Sequence, residues 1–104
     1  MSGPAVLAPR AEQELYEALR YVGRENPAAA RRLRDQVEAA SKRIGARPLI
    51  GRLEPSLARP QYRFWSLTAF SLLLVYDAEA DPVEILRIVH TARDLPKALK
   101  HLSS

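Results

Sequence analysis

The sequence predicts an α+β fold: an antiparallel sheet of three to four strands packed against an N-terminal helical hairpin, with a short C-terminal helix. Three observations carry that reading. Two apolar runs, Phe70 to Tyr76 and Val83 to His90, flank the acidic turn Asp77 to Pro82. Runs of that length, rich in Val, Ile, Leu and aromatics and bounded by Asp and Pro, are strands buried near a sheet centre. Ahead of them, two stretches with apolar residues at helical spacing meet at Asn26-Pro27. Lastly, consecutive strands with short connections pair antiparallel, and a helical hairpin between strands must lie over one sheet face.

Each element has its own signal. Ala5 to Ala8 is a short apolar piece suited to an edge strand. From Pro9, residues Ala11, Leu15, Ala18, Leu19 and Val22 recur at helical spacing, with Glu12, Gln13, Glu14, Glu17 and Arg20 on the other face. This helix stops near Arg24, because Asn26-Pro27 opens the next one. Asn is a strong N-cap, and Pro at the first position has no amide hydrogen to leave unpaired. The second helix runs to about Ile44 on a seam of Ala30, Leu33, Val37, Ala40 and Ile44, and Gly45 fits a left-handed C-terminal cap. Arg47 to Pro60 shows no periodicity and reads as a connector, with a short strand possible near Leu49. Tyr62 to Leu67 begins the sheet, with Tyr62, Phe64 and Ser66 on one face and Arg63, Trp65 and Leu67 on the other. Thr68-Ala69 is a turn. After the last strand, Asp94 caps a short helix over Leu95 to Leu102.

A chain of 104 residues has room for one domain, spanning residues 1–104. It has no cysteine, so neither a disulfide framework nor a thiolate metal site is available. Its two histidines, His90 and His101, have no carboxylate cluster around both, so no zinc site is expected. No secretory signal and no membrane-spanning run is apparent, and a cytoplasmic setting is expected. The net charge of +4 is uneven. Arg20 to Arg63 holds 11 basic and 4 acidic residues, a balance of +7, against 5 basic and 8 acidic elsewhere, a balance of −3. Thirteen of the 16 basic residues are arginine, which favours bidentate contacts to phosphate or carboxylate. The middle of the chain is therefore built to meet something anionic, a nucleic acid or an acidic protein segment.

The order of elements, taken with LAPRAEQELYEALRYV, ENPAAARRL, RPLIGR and LLVYDAEADPVEILRIVHTARD, resembles the RelE/ParE superfamily of toxins from bacterial type II toxin–antitoxin systems. The resemblance covers about residues 5 to 95 and implies the two-layer RelE/ParE-like fold. It also implies a cognate antitoxin, ParD-like or another DNA-binding type, whose C-terminal segment folds on binding. RelE-like members are ribosome-dependent ribonucleases acting on mRNA, whereas ParE-like members poison DNA gyrase without cutting bonds themselves. Neither activity implies a metal or cofactor.

For a ribonuclease, the candidates are Arg63, Arg87 and Arg93 as phosphate-binding residues and His90 for proton transfer. Against that reading, none of Tyr16, Tyr21, Tyr62 and Tyr76 follows Arg93, where RelE-like enzymes keep a tyrosine, and Leu99 lies near that place. Asp77 stands where many relatives have arginine. Strand alternation puts His90 with Glu84, Leu86 and Ile88, opposite Arg87, unless the strand bulges. The spelling EILRIVHTARD is closer to ParE. Candidate antitoxin- or target-binding residues are Arg31, Arg34, Arg63, Trp65, Arg87 and Arg93. The bland alternatives are a hydrogen-bonded structural His90, solvated helix arginines, a core or rim Trp65, and an Arg87 paired with a carboxylate. The gyrase-directed reading leads, a ribonuclease is the alternative, and a non-toxic binding module of the same fold is the third.

Overall fold

A computed structural model describes residues 3–103. Strand β1 (Val6–Leu7) leads into helices α1 (Pro9–Gly23) and α2 (Pro27–Ala46). Strands β2 (Tyr62–Leu67), β3 (Leu72–Asp77) and β4 (Glu84–His90) follow, then the short helix α3 (Leu95–Ala98). The sheet order is β1-β4-β3-β2. β2, β3 and β4 pair antiparallel as expected, but β1 runs parallel to β4, so the sheet is mixed. The antiparallel expectation holds for strands joined by short connections; between β1 and β4 lie both helices and two strands, which leaves the direction free.

The Asn26 carboxamide accepts from the Ala29 amide at 3.0 Å and caps α2, as its sequence signal predicts. Leu33, Val37, Ala40 and Ile44 form the buried seam of α2. With Ala11 of α1 they pack on Leu67, Leu72, Leu74, Tyr76, Ile85 and Ile88. The opposite sheet face is covered too. Phe64, Leu73, Val75 and Val89 lie there under Ala58, Leu99 and Leu102, so the connector and the C-terminal segment make a second cover.

Several boundaries differ from expectation. The region near Leu49 is a 3-10 turn (Pro48–Ile50) rather than a strand. A second 3-10 turn (Thr68–Phe70) ends on Ser71 at φ 53°, which delays β3 to Leu72. The C-terminal helix is one α-turn followed by a 3-10 turn (Lys100–Leu102).

Gly45 is not a left-handed cap: α2 continues through it to Ala46, and no glycine has positive φ among the described residues. Its role is close approach. The N-terminal segment crosses α2 here, with the Ala5 amide donating to Ser41 O at 2.8 Å. A Cβ on residue 45 would collide with Gly3 O and stand 2.7 Å from Ala5 N. Gly45→Ala is therefore expected to destabilise by about 1–3 kcal/mol in urea unfolding, despite alanine's better helix propensity.

The buried Tyr76 ties the connector to the sheet. Its hydroxyl donates to Pro48 O at 2.7 Å and accepts from the Gly51 amide at 2.8 Å. Burial raises its pKa, opposed by the Gly51 hydrogen bond and the Arg63 charge. No helix among the described residues is long and apolar enough to cross a membrane.

Candidate binding surfaces

Arg87, on an otherwise apolar strand, requires a partner, and the fold supplies one from α1. β1 pairs with β4 only at Glu84 and Ile85, so the β4 edge is open beyond them. Glu14 fills that opening. Its carboxylate accepts from Arg87 Nε at 3.0 Å, from Arg87 Nη2 at 2.8 Å and from the Ile88 amide at 2.8 Å. Arg87 Nη1 donates to Ala98 O at 2.8 Å, which holds α3 to the same node. The two side chains are 2% and 12% exposed. Glu14 thus leaves the outer helix face to which the sequence pattern assigned it. It lies three residues after Ala11 and four before Ala18, both inward-facing, and that spacing is the signal that could have placed it inward.

β4 does bulge. Val75 pairs with Arg87 while Tyr76 pairs with Ile85, so Leu86 is the extra residue. Ile85 and Ile88 pack on the helical face, whereas Leu86 and Val89 pack on the other. The expected grouping of Leu86 with Ile88 is thereby broken. The bulge precedes Arg87, however, so alternation from there onward still sets Ile88 and His90 opposite Arg87.

The other expected residues are scattered. Arg63 lies on β2, two strands from Arg87, or roughly 9–10 Å by strand spacing. Its Nη1 donates to Leu49 O at 3.2 Å and Gly51 O at 3.1 Å, while its buried Nε has no partner among the described residues. Trp65 is half-buried against the helical-face core, with the Arg43 guanidinium 5.4 Å from its ring centre. Arg31 and Arg34 are exposed on α2. His90 is exposed at the strand end, where its Nδ1 accepts from the Ala92 amide at 3.0 Å. That bond leaves Nε2 as the protonated nitrogen of the neutral ring.

Two depressions meet at exposed Arg93. One is an apolar groove of about 500 Å3 between α1 and the end of β4, lined by Ala18, Tyr21, Val22, Phe70, Leu72 and Ile88, with Glu14, Glu17, His90 and Arg93 also contributing. Tyr21 is 76% exposed, a large aromatic left open beside it. The other is a basic cavity reaching Arg10, Arg87, Lys97 and His101. Of the expected residues, the structure brings His90 and Arg93 to the groove, Arg87 and Arg93 to the basic cavity, and Arg63 to neither. No group of three or more His, Cys, Asp and Glu side chains placed to hold a metal ion occurs among the described residues.

A helical hairpin laid over a four-stranded mixed sheet, with a short C-terminal helix, is the RelE/ParE type of toxin fold. The chain belongs to the ParE toxin family of type II toxin–antitoxin systems, parDE, which matches residues 5–95. Comparison with curated proteins gave no significant match. Membership makes the chain the toxin of such a system and implies an antitoxin as its partner.

Proposed function

We propose that this toxin acts by binding DNA gyrase and trapping its cleaved-DNA state, and that a cognate antitoxin neutralises it. The observation that supports the reading is the dispersal of the groups a ribonuclease needs. Arg63 is held by connector carbonyls, Arg87 is buried against Glu14, and His90 lies on the opposite face from Arg87. General acid–base cleavage requires such groups within hydrogen-bond reach of one scissile phosphate. Here Arg87 lines the basic cavity, His90 the apolar groove and Arg63 neither, which speaks against one shared phosphate pocket.

The antitoxin's folding segment is assigned to the apolar groove beside α1. A helix or strand laid there would cover Val22, Phe70, Leu72 and the open Tyr21, and its acidic residues would face Arg93.

Purified toxin in a gyrase supercoiling assay should inhibit the reaction and accumulate cleaved DNA, and added antitoxin should reverse both effects. Growth arrest without either effect sinks the proposal. Ribosome-dependent mRNA cleavage in its place would establish the ribonuclease reading, and harmless expression without antitoxin would establish a non-toxic binding module.

A further inference from the structure

We propose that the basic cavity beneath α3 is a binding site for the phosphate of a phosphate ester. This goes beyond the gyrase reading and does not rest on it. The cavity, of about 470 Å3, is lined by Arg10, Arg87, Arg93, Asp94, Lys97 and His101, besides Ala98. These residues come from the first turn of α1, from β4, from the following loop and from the C-terminal segment, so only the fold assembles them. The volume lies within the roughly 300–1,000 Å3 of small-ligand clefts.

Charge and donor geometry choose the ligand. Arg10, Arg93 and Lys97 are exposed cations. The charge of Arg87 is balanced by Glu14, and of the lining residues only Asp94 is acidic. Asp94 is also committed locally, accepting from the Lys97 amide at 3.3 Å. Three cations against one carboxylate leave an excess of two positive charges.

Arg87 adds donors of an unusual kind. A guanidinium carries five N–H bonds. Arg87 uses one on Nε, one on Nη2 and one on Nη1. One N–H on each terminal nitrogen therefore has no partner among the described residues, on a side chain that is 2% exposed and lines the cavity. Buried donors of this kind call for an acceptor.

A carboxylate is planar and is satisfied by one fork. Cationic donors converging from four segments instead suit a tetrahedral oxyanion with acceptors on every side. His101 reports the same field: burial, then the Arg87 and Arg10 charges, lowers its pKa, with Glu14 opposing. An anion seated in the cavity reverses the electrostatic part of that shift.

The test is an NMR titration of the two imidazoles in the full chain at constant ionic strength. The probes are inorganic phosphate, a nucleoside 5′-monophosphate, a short DNA oligonucleotide without terminal phosphates, and acetate. Each phosphate probe that binds should shift His101 saturably and raise its pKa, while His90, outside the cavity, stays in place. Lys97→Ala should weaken the response about tenfold, the loss expected for one charge-assisted hydrogen bond, and Arg32→Ala, exposed on α2 and outside the cavity lining, should not change it. Tightest saturation by the oligonucleotide identifies a nucleic-acid backbone as the source; tightest saturation by the monophosphate or inorganic phosphate identifies a small phosphorylated ligand. The proposal is overturned if no phosphate probe saturates, if both histidines move together, if acetate saturates equally well, or if Lys97→Ala binds as the natural chain does.

Discussion

Glu14→Ala is expected to lower the stability of this toxin by about 3–5 kcal/mol, the cost of leaving a buried charge without its partner. The carboxylate serves the Arg87 guanidinium and the Ile88 amide at once, so its removal strands an ion and a backbone donor together. Domains of this size are stable by roughly 5–15 kcal/mol, so the loss is a large share of the total. The Arg10–Glu14 contact adds little to that loss, since Arg10 lies 3.9 Å from Glu14 and is 63% exposed. Arg87→Ala should cost a similar amount, because it buries an unpaired carboxylate and frees Ala98 O, the tie to α3. The double substitution Glu14→Met with Arg87→Met should recover much of the loss, since neither charge is then buried alone. Recovery stays incomplete by about 1–3 kcal/mol, because the Ile88 amide still lacks an acceptor. Urea unfolding of the natural chain, Glu14→Met, Arg87→Met and the double Met variant gives the coupling energy directly. Strict additivity of the two single losses would show that the pair does not act as a unit. The result also governs how toxicity data are read: an Arg87→Ala variant that fails to arrest growth has first to be shown folded.

The Glu14–Arg87 node marks where sequence reasoning stops. Both helices were legible because their signals are local: Asn26 and Pro27 cap α2 whatever surrounds them, and the Leu33-Val37-Ala40-Ile44 seam shows its period directly. The three consecutive strands followed from apolar runs and short turns. That Arg87 needed either a carboxylate or a route to solvent was also legible; that Glu14 met the need was not. The partners are 73 residues apart, and the contact depends on β1 ending at Leu7 and exposing the β4 edge. Gly45 shows the same limit. A glycine near a helix end reads as a cap, and only the crossing of residues 3–5 reveals a steric role. Neither Arg10 nor Lys97 nor His101 carries any local mark of belonging together. Their convergence is tertiary, as is the second cover of the sheet.

Leu99→Ala should be comparably damaging, by about 2–5 kcal/mol, and here the position also bears on activity. Leu99 stands near the place where RelE-like ribonucleases keep a tyrosine. In this chain it is fully buried, packed with Phe64, Leu73, Val75, Val89 and Leu102 on the face opposite the helical hairpin. Its amide donates to Leu95 O at 2.9 Å and its carbonyl accepts from Leu102 N at 2.9 Å, so the residue links α3 to the last turn. Truncating it opens a cavity beneath the C-terminal segment, which is short and has few other large apolar contacts to hold it down. Leu99→Tyr separates packing from chemistry. The ring is larger than the space, and its hydroxyl would enter an apolar cluster, so a loss of about 1–3 kcal/mol is expected in place of a gained activity. The decisive measurement pairs urea unfolding of both variants with a ribosome-dependent mRNA cleavage assay of Leu99→Tyr. A Leu99→Tyr protein that keeps natural stability and cleaves mRNA would overturn the assignment of this position to packing and return the ribonuclease reading to first place. A destabilised protein without cleavage is the outcome expected of a toxin whose C-terminal segment seals the sheet, leaving its exposed Arg93, groove and basic cavity to meet partners.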